Sequence, residues 1–264
     1  MNRAEDLNRI ADLFGAYGPN AAILDPTGDR ARGIRSFAPL TEGTTGEKAV
    51  NFLESLKISE GQKAGSQVRL APFQKQFIEG ALDREIATAI LSIGRGNAKT
   101  ALSAGIALGG LIGVWDPQPR REVLVAARTR DQGNIAYQFA AGFAKSLPLD
   151  VQRRLIFRRS PRLEIEYEGD GGNHILRVLA ADGKSALGSA PTMALLDERG
   201  HWELDKGDAL EAALLSGLGK RGGRALIIST SAADDTHPFS RWIDDPLPGT
   251  LCAGTPAPAR PACR

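Results

Sequence analysis

A short apolar run, Ile86 to Ile93, stops at Gly94-Arg95-Gly96 and gives way to a long stretch rich in Gly and Ala, Ala101 to Trp115. This change of pattern across a glycine turn constrains the fold more than any other feature. It spells strand, loop and helix, the repeating unit of an α/β sheet. The stretch after the loop is shorter than the roughly 20 residues that a membrane span requires, so it reads as a buried helix and no membrane role is expected.

The unit recurs along the chain. Glu122 to Ala127 has the same short-strand signature, followed by a helical pattern over Gln132 to Leu147. Leu163 to Tyr167 and His174 to Leu179 read as strands joined in a hairpin through Asp170-Gly171-Gly172-Asn173. Thr192 to Leu196 and Ala225 to Thr230 are two more buried strands, with a helix over Ala209 to Leu218 between them. Gly46 to Leu56 is helical by period, and Pro72 suits the first turn of a helix with Phe73, Phe77, Ile78 and Leu82 on one face. The expected fold is α/β, a mainly parallel central sheet flanked by helices.

Outside this core the pattern weakens. An amphipathic helix over Ala4 to Tyr17 and a loop-like lead-in make residues 1–45 a separate expected segment, and residues 46–243 form the main domain. The Pro- and Ala-rich end, 244–264, is expected to be a disordered tail. Both cysteines, Cys252 and Cys263, lie in that tail, so neither a disulfide frame nor a Cys-rich zinc site can organise the fold. Without a signal-peptide pattern at the N-terminus, the expected compartment is the cytoplasm.

The chemistry concentrates at two strand ends. Gly94, Arg95, Gly96, Asn97, Ala98, Lys99 and Thr100 occupy the place of a phosphate loop, where backbone N–H groups and the helix dipole favour anionic oxygens. In that reading Lys99 reaches the outer phosphates and Thr100 ligates magnesium. Ile93 and Ala98 stand where the usual pattern has glycines, and a plain glycine turn is the competing reading. The second end is Met193-Ala194-Leu195-Leu196-Asp197-Glu198, an apolar strand closing on two carboxylates. Asp197 can hold magnesium through its water shell, and Glu198 can take a proton from the water that attacks a γ-phosphate. Ordinary surface acids are the alternative. Leu226 to Ser231 is a buried strand ending in hydroxyls that can sense a phosphate or merely close the strand, and Gln74 can read an adenine edge or simply be solvated.

Lys+Arg 33 against Asp+Glu 31 gives a net charge of +2, which excludes a uniformly basic coat. Between Arg120 and Arg162, however, ten basic residues face only Glu122, Asp131 and Asp150. The segment is a candidate phosphate-backbone footprint for duplex DNA, with a solvated face or a partner contact as the other reading. His174, His201 and His237 show no ligand spacing and read as structural.

Four motifs in order resemble the ATPase domain of a tailed-phage terminase large subunit over about residues 45–243. They are Lys48 to Phe52 leading to Leu70-Ala71-Pro72-Phe73-Gln74, then Arg95 to Thr100, then Ala181 to Gly188, then Leu196-Asp197-Glu198. The resemblance implies a P-loop NTPase fold with ATP and Mg2+ as cofactors. It places Gln74 in an adenine motif, Arg95 to Thr100 in the Walker A loop and Asp197 and Glu198 in the Walker B pair. Ser229 to Ser231 fall in a coupling motif, and Arg95 is the loop arginine that such terminases carry. It also implies a ring homo-oligomer driving double-stranded DNA into a procapsid, with a portal protein and a small terminase subunit as partners. A C-terminal nuclease domain of that family is expected to be missing from this chain. Two other readings remain at this point, a helicase-like P-loop ATPase and a truncated prophage remnant.

Overall fold

The computed structural model describes residues 44–82, 86–169, 172–181, 188–244 and 250–254. The expected helix over Ala4 to Tyr17, its lead-in loop, most of the Ala181 to Gly188 motif and the last ten residues lie outside the described residues.

Helix α1, Thr45–Ser55, starts at a capping box: the Glu47 N–H donates to the Thr44 hydroxyl, and the Thr44 N–H donates to the Glu47 carboxylate at 2.7 Å. Helix α2, Pro72–Ala81, has its proline in the first turn as expected. Strand β1, Thr88–Ser92, leads through the glycine loop into α3, Lys99–Ile112, which is buried along nearly its whole length. Strand β2, Glu122–Ala127, is followed by α4, Arg130–Ala144, capped by Thr129. A single turn, α5, Leu149–Gln152, precedes β3, Leu155–Arg158, β4, Glu164–Gly169, and β5, Gly172–Ala180. Strand β6, Met193–Asp197, a 3-10 turn over Arg199–His201, and α6, Leu204–Gly219, come next. Strand β7, Arg224–Ser229, helix α7, Pro238–Asp244, and β8, Thr250–Gly254, close the described chain.

The strands form one eight-stranded sheet in the order β3-β4-β5-β2-β6-β7-β1-β8. All pairs from β5 to β8 are parallel, and β3-β4 and β4-β5 are antiparallel. The inner strands read as continuous apolar runs because both faces are covered. Ala89, Leu91, Val123, Val125, Leu195, Leu226 and Ile228 point to one side, into a core shared with α1, α2, α3 and α4. Their alternates Ile90, Leu124, Ala126, Leu196, Ala225 and Ile227 point to the other, against α6 and Phe239 of α7.

Two strands depart from the sequence reading. Strand β3 is hidden by the arginines on both sides of Leu155-Ile156-Phe157, which make a short edge strand look like a solvated segment. Strand β8 falls inside the stretch expected to be a disordered tail, and it pairs in parallel with β1, Thr88 opposite Thr250 and Ser92 opposite Gly254. The Pro- and Ala-rich composition of the whole end masks the five residues Thr250–Gly254 that complete the sheet edge beside β1.

Candidate active site

Strand order brings the two chemical strand ends together. In the sheet β7 lies between β1 and β6, so the loop after β1, the acids after β6 and the hydroxyls after β7 meet at the carboxyl ends of three adjacent strands. Ligands of open α/β sheets bind in that position. The register places Ser92 opposite Ser229, and Ile228 opposite Asp197.

The loop curls through left-handed backbone. Gly96 has φ +81°, which glycine tolerates, but Ala98 also sits at φ 52°, ψ 34°. The position that usually holds a glycine therefore keeps the glycine conformation with a methyl group added. The Asn97 side chain donates to the Gly94 carbonyl at 3.1 Å, bracing the turn from within. Gln74 braces it from outside: its amide nitrogen donates to the Asn97 carbonyl at 3.2 Å, while its oxygen accepts from the Ala71 N–H at 2.9 Å. Gln74 is thus a buried strut between α2 and the loop as well as a wall of the cleft.

Lys99 points back under the loop. Its ammonium donates to the Gly94 carbonyl at 3.0 Å and lies 3.3 Å from Glu198 Oε1, with the side chain 5% exposed. Thr100 donates to Asp197 Oδ2 at 2.9 Å. The other oxygen, Asp197 Oδ1, is buried without a hydrogen-bond partner, an acceptor that a cation would satisfy. Burial pushes the Asp197 carboxyl up to about 6, the Thr100 hydroxyl and the Lys99 charge opposing the rise and the neighbouring Glu198 adding to it. The Thr100 hydroxyl and the free Asp197 oxygen are hard oxygen donors, and they suit a cation that takes its remaining ligands from phosphate oxygens and water, as magnesium does.

Glu198 stands at φ 53°. Its Oε2 accepts from the Thr230 N–H at 3.0 Å and from the Thr230 hydroxyl at 3.2 Å, so the strand end after β7 holds one carboxylate oxygen while Lys99 approaches the other. His201 bonds the same Thr230 hydroxyl through Nε2 and lines the cleft. The structural reading fits His174, which is buried, accepts from the Arg121 N–H and stacks on Tyr167, but His201 belongs to the site. Its only sequence signal is its place three residues after Glu198, and three residues carry no pattern without the turn between them.

Lys99, Thr100, Glu198 and His201 form the polar end of a cleft of about 720 Å³, with Asp197 and Thr230 held just behind them by their bonds to Thr100 and Glu198. Arg95, exposed in the loop, and Arg128, after β2, flank the polar end, and Leu53, Leu56, Val68, Ile135 and Phe139 make an apolar wall that sequence reasoning did not foresee. The basic segment is less free than its count implies. Arg121 is buried, with bonds to the Leu111 and Gln118 carbonyls; Arg158 pairs with Glu166, and Arg162 lies 3.9 Å from Glu164. The acids that offset it come from β4, just beyond the window in sequence but adjacent in the sheet.

The chain matches the family model of the terminase large subunit ATPase domain over residues 62–240. It is 35% identical over 205 residues to the terminase large subunit of Enterobacteria phage HK97, covering 76% of this chain and 40% of that protein. The crystal structure of the HK97 large terminase superposes with a TM-score of 0.70 at 31% identity, over 82% of this chain and 45% of that one. The ATPase domain of the Thermus phage P74-26 large terminase, at 17% identity, shares the fold with a TM-score of 0.55 over 70% of this chain and 80% of that one. So does the large terminase of the thermophilic bacteriophage D6E in complex with ADP, at 13% identity and a TM-score of 0.55, over 70% of this chain and 45% of that one. The chain thus spans less than half the length of the curated relative it matches. The match favours this family over a general helicase-like ATPase, and the chain belongs to the ATPase domains of phage terminase large subunits.

Proposed function

We propose that this chain binds ATP with magnesium and hydrolyses it to move double-stranded DNA into a procapsid. In this reading it works as a ring of identical subunits with a portal protein and a small terminase subunit, in the host cytoplasm. Among the described residues no helix is long and apolar enough to cross a membrane. The observation that carries the reading is the meeting of Lys99 with Glu198, Thr100 with Asp197 and Thr230 with Glu198 at the ends of three adjacent strands.

Each residue then has a task. The N–H groups of Gly94 to Ala98 and the start of α3 receive phosphate oxygens, and Lys99 supplies the compensating charge. The Arg95 guanidinium, exposed on the loop and lining the cleft, offers charge that meets the phosphates as negative charge builds on them. Thr100 and Asp197 would hold magnesium, which would supply positive charge to offset that of the phosphates. Glu198 takes the proton from the attacking water at Oε1, since Thr230 already holds Oε2. An arriving phosphate competes for the Lys99 ammonium and loosens its hold on Oε1, so nucleotide entry itself readies the base. Gln74 and the apolar wall receive the adenine.

Titration calorimetry with ATP and magnesium tests this. Lys99→Ala is expected to lose binding, and Glu198→Gln to keep it while turnover falls about 10²-fold or more. Equal ATP affinity in the parent and Lys99→Ala, or unchanged single-turnover hydrolysis in Glu198→Gln, would remove the corresponding assignment.

A further inference from the structure

Arg199, the residue after the proposed base, is 1% exposed. Its Nε donates to Glu211 Oε2 at 2.6 Å, Nη2 pairs with Asp208, and the guanidinium carbon lies 5.4 Å from the centre of the Trp202 ring. Both carboxylates belong to α6. Taking a guanidinium and its partners out of water is costly, and an apolar side chain of similar size would fill such a site more cheaply. A buried ion pair in this place therefore calls for a role that packing alone does not supply.

The turn it belongs to is fastened on every side. The Glu198 N–H donates to the Ile228 carbonyl at 2.8 Å, the Gly200 N–H to the Ser229 hydroxyl at 2.9 Å, and the Trp202 ring N–H to the Asp197 carbonyl at 3.0 Å. A Cβ on Gly200 would come 2.7 Å from the Thr230 carbonyl oxygen, so the turn presses directly on the strand end that holds Glu198. Glu198 itself is in left-handed backbone, which a non-glycine residue keeps only where its surroundings over-determine it. The bonds to β6 and β7 fix where the turn begins, the Arg199 ion pairs tie its first residue to α6, and Trp202 at its end packs on Gly207 of the same helix.

We propose that Arg199 is a positioning residue: through Glu211 and Asp208 it ties the turn after β6 to α6 and holds Glu198 in the backbone conformation from which its carboxylate meets Thr230 and Lys99. This rests on the reading of Glu198 as the base. Asp208, 46% exposed at its side chain, is the outer end of the network, so the surface of α6 is connected to the catalytic turn through two ion pairs.

The test compares single-turnover ATP hydrolysis with the affinity for a fluorescent ATP analogue in the full chain. Arg199→Lys keeps the charge but loses the fork that engages two carboxylates, and Glu211→Gln removes one of them. Both are expected to lower the hydrolysis rate about tenfold or more while nucleotide affinity stays within about threefold. Because disrupting a buried pair can unfold a domain, Asp208→Asn at the half-exposed end is the second variant. It should keep the parent melting temperature and affinity and still hydrolyse several-fold more slowly. Parent-like hydrolysis in Glu211→Gln and Asp208→Asn, or rate and affinity falling in equal proportion, would overturn the proposal. Glu198→Gln measured alongside separates the two levels: parent-like hydrolysis there removes the base assignment beneath the proposal. A silent Glu198→Gln beside fully active Arg199→Lys and Glu211→Gln removes the positioning role alone.

Discussion

At Ala98 a single methyl group decides how the phosphate loop is strained. An alanine in left-handed backbone costs roughly 1–2 kcal/mol, while glycine there would lose about 0.5–1 kcal/mol of extra chain entropy on folding. The second offsets part of the first, so Ala98→Gly is expected to leave stability unchanged or raise it by up to about 1.5 kcal/mol, where the same change inside a helix costs about 1 kcal/mol. Urea denaturation checks this, and a loss of about 1 kcal/mol would contradict the left-handed geometry. Asp197 offers a second test through its titration. Its carboxyl rises from 3.8 to about 6 on folding, so the native state binds the extra proton and stability falls as pH rises through that window, then levels off above it. With magnesium chelated, Asp197→Asn should match the parent near pH 4 and exceed it by roughly 3 kcal/mol at pH 7, the free energy that separates a carboxyl at 3.8 from one at about 6. A constant difference across that range would exclude the burial account. The sequence makes Lys99 and Thr100 legible because they follow a glycine loop between an apolar strand and a helix, and Asp197 and Glu198 because they close another apolar strand. Thr230 was visible only as one hydroxyl of three. Arg199 and His201 were not legible as site residues, since what makes them matter is contact with α6 and β7.

Among the elements, the strands of the inner sheet were readable because burial on both faces makes them apolar without interruption, and the helices because α1, α2 and α4 bury one stripe each. The β3-β4-β5 unit shows where that logic stops. A window of sequence counts charges along the chain, whereas the sheet sets Arg158 beside Glu166, and Arg177 beside both Glu164 and Glu122. The exposed Arg158–Glu166 pair contributes about 0–1 kcal/mol, but it occupies a cation that a DNA backbone would need. Within the segment this removes Arg158 from the candidate DNA surface, and the carboxyl edge of the sheet is the part of it next to the cleft. There Arg128 lines the cleft, Arg130 donates to the Pro161 carbonyl at 3.2 Å, and Arg159 lies 5.7 Å from the Tyr137 ring centre. Reversing Arg128, Arg130 and Arg159 to Glu is expected to abolish duplex binding at low salt and to flatten the salt dependence, while Arg158→Glu alone changes it little. Filter binding across a salt series distinguishes these. Equal losses from both variants would return the footprint to the whole segment.

For the whole molecule, the strand order matters more than any one strand. The chain visits β1, β2, β6 and β7 in sequence, yet the sheet sets β7 between β1 and β6, so residues far apart in sequence come to face one cleft. No local pattern encodes that order; it follows from which apolar faces the helices can cover together. The same order leaves β1, the strand that carries the phosphate loop, next to the sheet's outer edge, where β8 covers it among the described residues. An unpaired parallel edge presents free N–H and C=O groups that invite pairing with another chain. A chain ended after Asp244 lacks β8, and its β1 edge would be open along Thr88 to Ser92, the residues that lead into Gly94 and Lys99. It should melt several degrees lower, since about 1 kcal/mol corresponds to roughly 2–4 °C at this size, and it should self-associate as its concentration rises. Its affinity for ATP should fall as well, because the loop is anchored by the strand that has lost a neighbour. Thermal melts and sedimentation at several concentrations measure the first two, and calorimetry the third. A shortened chain that associates no more than the parent, melts with it and binds ATP equally would show that β8 plays no part in holding the phosphate loop.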